Sequence, residues 1–233
     1  MDGDQSTTPL VLLPGMGCSA RLWAGVRREL DGVDSRVEEL DEPDLDQCVE
    51  ALLDRLPDRF ALAGLSLGGI VAMAVVRTAS ERVTRLCLLD TNARPPTETQ
   101  REAWASQIAI LEAGESARSL QTRLLPALLH SDASPEVVEQ TLLMADEVGE
   151  ARFARQLRLQ GTRVDERPGL SAVGVPTTVI VGAEDTLCPL DRHHEIRGLV
   201  PGSQLRVLPA TGHLSALERP AEVAAMMREW MDS

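Results

Sequence analysis

Five short apolar runs, each ended by turn residues, constrain this chain more than any other feature: Leu10–Leu13, Phe60–Leu65, Leu86–Leu89, Thr178–Val181 and Leu205–Leu208. Most do not alternate apolar with polar positions. A strand covered on one face alternates; a strand covered on both faces does not, and parallel sheets are covered on both. A weaker run, Arg36–Leu40, does alternate, which places it nearer an edge. Helical patterns separate the runs: Ser19–Leu30, Asp46–Leu56 with Asp46 as its N-cap, Gly68–Thr78, and Pro220–Met231 with proline in its first turn. The stretch from Gly68 to Thr78 is apolar almost all round and predicts a buried helix. This alternation predicts an α/β fold: a mostly parallel sheet flanked by helices, with right-handed crossovers.

The alternation stops between Ala93 and Arg167, where no strand pattern occurs. Helical stretches there are separated by Gly114, by Ser131–Pro135 and by Gly149, and Ser134-Pro135-Glu136 is a strong helix start. The expected organisation is one core domain formed by residues 1–92 and 168–233, with residues 93–167 inserted as a helical cap of about four helices.

Charge and composition exclude several functions. With 23 basic against 36 acidic side chains, the net charge is −13. That balance opposes a nucleic-acid partner, which needs a basic face, and an anionic membrane surface. No apolar run approaches the ~20 residues that span a bilayer. The start, Met1–Thr8, is polar and lacks the features of a secretory leader, so a cytoplasmic location is expected. Cys18, Cys48, Cys87 and Cys188 are spread without a CxxC pair and read as free thiols, not as a zinc site. Aromatic residues make up 2 %, too few for a base-stacking platform.

The chemistry concentrates around Gly64-Leu65-Ser66-Leu67-Gly68-Gly69. It lies between an apolar run and an apolar helix, so Ser66 sits on a sharp strand-to-helix turn. Small residues two positions either side let chain and helix approach closely and expose the hydroxyl above the sheet. A serine nucleophile needs a base. Of His130, His193, His194 and His213, the last follows the run Leu205–Leu208 and lies at the same sheet edge as Ser66. His193 and His194 read as surface residues of a helix; His130 falls in the insertion. The imidazole in turn needs a carboxylate. Asp185, after Thr178–Val181, is the leading choice; Glu184 beside it and Asp90 after Leu86–Leu89 are alternatives, Asp90 preferred as a structural cap of its turn. Two backbone N–H groups complete an oxyanion site: Leu67, after the serine, and Met16, in the loop Pro14-Gly15-Met16-Gly17.

Together these segments resemble the α/β-hydrolases, in particular the small cap-bearing serine hydrolases related to carboxylesterases, enol-lactonases and carbon–carbon bond hydrolases. LLPGMG resembles the oxyanion loop, GLSLGG the nucleophile elbow, VGAED the acid loop, and TGHLSALERPAEV the histidine loop with its closing helix. Pro14-Gly15 stands where many relatives have His-Gly. The chain opens on Leu10–Leu13, without the short antiparallel strands of many relatives, so about six strands are expected.

The resemblance implies hydrolysis of a small-to-medium carboxylic ester or lactone through Ser66, His213 and Asp185, with neither metal nor organic cofactor. Carbon–carbon hydrolysis or a cofactor-free lyase or lactonase reaction on the same residues is the alternative, and a non-catalytic receptor a third. Among insertion residues, Trp104, Leu111, Leu125, Leu128, Leu129, Leu143 and Met144 are candidates to line the pocket, with Trp104 and Met144 taken as substrate contacts. Arg94, Arg152, Arg155, Arg158 and Arg163 are candidates to bind an anionic group, against the plainer reading of solvated helix faces.

Overall fold

A computed structural model describes residues 8–233. The polar start read at Met1–Thr8 therefore lies outside the described residues but for Thr8. In chain order the elements are β1 (Leu10–Leu13), α1 (Ala24–Glu29), β2 (Ser35–Val37), α2 (Leu45–Leu53), β3 (Phe60–Leu65), α3 (Leu67–Thr78) and β4 (Val83–Leu89). Four helices follow: α4 (Glu98–Glu112), α5 (Ala117–Leu128), α6 (Pro135–Thr162) and α7 (Arg167–Leu170). Then come β5 (Thr177–Gly182), α8 (Leu190–Leu199), β6 (Gln204–Leu208), α9 (Ser215–Glu218) and α10 (Pro220–Asp232).

The six strands form one sheet in the order β2-β1-β3-β4-β5-β6, with every neighbouring pair parallel. Alternate residues of the same strands feed two cores. Leu10, Leu12, Ala63, Leu89 and Ile180 pack with Trp23, Val26, Met227 and Trp230. Val11, Leu13, Leu62, Leu88 and Val179 pack with Val49, Val71, Val75 and Ile196. This two-sided burial is why the central strands read as unbroken apolar runs. The alternating run at Arg36–Leu40 yields only the three-residue edge strand β2, displaced to Ser35–Val37. Helix α2 begins at Leu45, not Asp46: Asp44 is its N-cap, accepting from the N–H groups of Asp46 and Gln47 at 3.0 and 3.2 Å.

Helices α4 to α6 bury a core of their own around Leu111, Leu120, Val148, Phe153 and Leu157. Ser134 caps α6 through Val137 N–H at 3.3 Å, and Gly149, at φ 69°, breaks that helix. The topology also sets where a ligand goes. From β1 the chain moves outward to β2, then returns past β1 to β3, so the loops leaving β1 and β3 diverge. A crevice opens beyond the carboxyl ends of strands at such a reversal.

Candidate active site

The crevice holds the turn around Ser66. Strand β3 ends at Leu65 and α3 starts at Leu67, leaving Ser66 at φ 54°, ψ −113°. Close packing enforces this shape. A Cβ at Gly64 would stand 2.2 Å from the carbonyl oxygen of Gly68, and one at Gly68 would stand 2.3 Å from that of Leu13. Only glycine at both places lets the helix start directly over the strands.

The turn delivers the serine hydroxyl to His213. Ser66 Oγ lies 2.8 Å from His213 Nε2, and His213 Nδ1 lies 2.8 Å from Asp185 Oδ2. Asp185 is itself held by the N–H groups of Leu187 and Cys188, each 2.9 Å from Oδ1. A carboxylate only accepts, so Nδ1 carries the proton and the Nε2 lone pair faces the hydroxyl. Burial opposes a charged imidazole here. The Asp185 carboxylate, by charge and by hydrogen bond, together with the Asp90 and Glu218 charges, outweighs it and holds the His213 pKa above its ordinary 6.5.

The other carboxylates at this edge are engaged elsewhere. Glu184 pairs with His130 Nε2 at 2.6 Å. Asp90 Oδ1 accepts from Gly182 N–H at 2.9 Å, and its Oδ2 accepts from the N–H and hydroxyl of Ser215. Burial, and then the nearby Asp185 charge, push the Asp90 carboxyl up to about 8. His193 departs from the expected surface position: it is fully buried, and its Nε2 accepts from Thr91 N–H at 2.9 Å. Burial pushes its pKa down to about 4, so it is neutral. His194 is exposed. The Thr91 hydroxyl donates to the Ser66 carbonyl at 2.8 Å, so Asp90, Thr91 and His193 brace the turns that carry the three residues.

Met16 and Leu67 both adjoin this hydroxyl turn. Gly17 N–H is taken by Gln156 Oε1 at 2.9 Å. Among the described residues neither Met16 N–H nor Leu67 N–H donates a hydrogen bond. For Leu67 this follows from its place in the first turn of α3, where the helix offers no acceptor.

A cavity of about 210 Å³ lies over Ser66 and His213, below the ~300–1,000 Å³ of pockets for drug-sized ligands. Gly15, Met16, Asn92, Cys188 and Leu214 line it from the sheet side; Gln100, Trp104, Gln107, Gln121, Leu124, Leu128, Gln160 and Arg163 line it from the inserted helices. Trp104 and Leu128 are therefore at the cavity wall. Met144 is not: it is fully buried, packed into the apolar cluster that includes Leu128, Leu129 and Leu214. Leu111, Leu125, Leu129 and Leu143 are likewise absent from the lining. The glutamines were missed in the sequence because a lone polar residue on a helix reads as solvent-facing. Gln121, directly after buried Leu120 on an amphipathic helix, was the available signal.

Asp185, Cys188 and His213 present ligand atoms within 4.8 Å of one another. Two of the three are committed to each other, and burial pushes the Cys188 thiol up to about 12, so this set is a poor cation site. Burial also pushes Cys18 up to about 12, and all four cysteines are buried and free.

The arginines divide sharply. Arg94 pairs with Glu195, Arg152 with Glu39 and Asp41, Arg155 with Asp41, and Arg158 with Glu112. Arg163 has no carboxylate partner among the described residues; its hydrogen bonds go to Gln160 and Gln100.

A family model described as "Alpha/beta hydrolase family" matches residues 10–226. The chain belongs to the alpha/beta hydrolase family. This alpha/beta hydrolase is 28 % identical to a pimeloyl-[acyl-carrier protein] methyl ester esterase of Aromatoleum aromaticum, over 94 % of this chain and 96 % of that protein. It is 27 % identical to the protein of the same name from Nitrosomonas europaea, over 91 % of each. Among solved structures, a thermophilic esterase from Thermogutta terrifontis superposes with a TM-score of 0.86 at 26 % identity, covering 97 % of this chain and 89 % of the other. In all described helices, none is long and apolar enough to cross a membrane.

Proposed function

We propose that this hydrolase cleaves small carboxylic esters or lactones through an acyl-enzyme on Ser66. The observation that carries the reading is the unbroken pair of 2.8 Å hydrogen bonds from Ser66 to His213 to Asp185. As the Ser66 oxygen bonds to the carbonyl carbon, its proton passes to His213 Nε2. The carbonyl electron pair moves onto oxygen, where the free N–H groups of Met16 and Leu67 receive it, each worth ~2.7–4 kcal/mol of barrier. Collapse of this intermediate expels the alcohol, which takes the proton from His213. Water then repeats the cycle on the acyl-enzyme and releases acid. The Asp185 carboxylate orients the imidazole and stabilises its charged form throughout.

The relatives named methyl ester esterases support ester hydrolysis, and the small cavity supports a short substrate. Residues 93–167 form the cap of the site in this reading, on a core of residues 1–92 and 168–233. The four buried free thiols fit a reducing cytoplasm. The test is labelling by a fluorophosphonate probe together with turnover of p-nitrophenyl acetate. Labelling at Ser66 and turnover are expected; a folded protein that shows neither overturns the proposal.

A further inference from the structure

The lining of the cavity that holds Ser66 includes polar groups left without a partner among the described residues. Arg163 is 6 % exposed and follows the last turn of α6. Its Nη1 and Nη2 donate to Gln160 Oε1 and Gln100 Oε1, each at 2.9 Å, and its Nε is buried without a partner. Its guanidinium stands 5.1 Å from the Trp104 ring centroid. Both of its acceptors are neutral amides. The group still carries its charge at neutral pH, although burial pushes it down to about 10. Elsewhere in the lining of the same cavity, Gln121 is 1 % exposed, and among the described residues neither its Oε1 nor its Nε2 has a partner; Gln107 Oε1 is also unpartnered.

A buried cation without an anion and a buried amide with nothing to bond are each costly for the protein alone. Arg94, Arg152, Arg155 and Arg158 each have a carboxylate, so the chain's acidic excess supplies partners freely at the surface and none here. The guanidinium fork matches a carboxylate in shape as well as charge.

We infer that the substrate carries a free carboxylate a few carbons from its ester carbonyl, held by Arg163, as in the monoester of a short dicarboxylic acid. This rests on the reading of Ser66 as nucleophile and specifies the substrate class of that site. One cavity is lined both by Ser66 and His213 and by Arg163.

The experiment compares monomethyl glutarate with methyl glutaramate, in which a primary amide of the same shape replaces the carboxylate. For the wild type, kcat/KM is expected to favour the anionic ester by about 10-fold to 100-fold, the range for a hydrogen bond to a charged group. Arg163→Met should bring that ratio close to one, mainly through KM of the anionic ester, and Arg163→Lys should restore part of it. A wild-type ratio of one or less overturns the inference. So does an Arg163→Met variant that slows both esters equally and keeps the ratio, since Arg163 is then a brace between α4 and α6. Circular dichroism checks that each variant is folded, and the lysine variant carries the test if the methionine variant is not. If neither ester is turned over, calorimetry of monomethyl glutarate on Ser66→Ala decides separately. Binding that disappears with Arg163→Met added upholds the carboxylate site while the hydrolase reading falls; no binding overturns the site.

Discussion

The two sides of the cavity obey opposite rules. On the sheet side, each buried polar side chain of the Ser66 constellation is bonded to another: Asp185 to His213 and two N–H groups, Asp90 to Gly182 and Ser215, His193 to Thr91. On the side of the inserted helices, Gln107, Gln121 and Arg163 keep unpartnered atoms away from water. The satisfied side holds its groups in fixed positions, which in the proposed function organises them for chemistry before anything binds. The unsatisfied side carries a cost in the empty protein, which the proposed carboxylate substrate would relieve at Arg163. Substitutions on the two sides should therefore have opposite effects on the empty protein.

The largest effect should come from the floor. Ser66→Ala is expected to lower kcat by about 10⁶-fold with the fold retained, read by ester turnover and circular dichroism. Loss of only a few-fold would mean that the fixed floor is scaffolding. Asp185→Asn should cost about 10⁴-fold in kcat. It should also move the pH profile. Attack needs neutral His213, whose pKa is held above 6.5 by Asp185, so activity falls as pH drops through that raised value. Without the carboxylate the pKa falls, and the acid limb of residual kcat/KM should shift to lower pH; a limb that stays in place breaks the link between Asp185 and His213.

Stability sharpens the same contrast. Gly68→Ala puts a methyl group 2.3 Å from the Leu13 carbonyl oxygen and should destabilise the protein by about 1–3 kcal/mol in urea unfolding. Gln121→Met, at the wall, should do the reverse. It replaces a buried amide lacking both partners by an apolar chain of similar length, and is expected to raise the free energy of unfolding by about 1 kcal/mol. A loss of stability there would show that the wall is internally bonded like the floor.

Much of the fold was legible because its causes are local or periodic. Unbroken apolar runs in β1, β3 and β5 announce burial on both faces, and Gly64 and Gly68 around Ser66 announce a turn that tolerates no side chain. Local pattern was weaker where it competed with position in the sheet. The alternation expected at Arg36–Leu40 is broken where Glu38 and Glu39 follow one another, an edge strand has only one neighbour, and pairing with β1 stops at Val37. His193, expected at the surface, is buried because it sits three positions before Ile196 on α8, a spacing that shares its buried face. The apolar character of Met144 suits a cavity wall and an interior equally well, and the interior is where it packs.

The sequence by itself determined the features that depend on neighbouring residues: which segments are strands, that the sheet is parallel, and that residue 66 rides on a strained turn. Backbone sterics and side-chain periodicity act over a few residues and leave their mark in the order of letters. Tertiary structure alone decided which of Asp90, Glu184 and Asp185 meets His213, and which of five arginines is left without an anion. Those outcomes turn on distances between groups far apart along the chain, and Coulomb and hydrogen-bond energies change steeply over a few ångströms that no local pattern records.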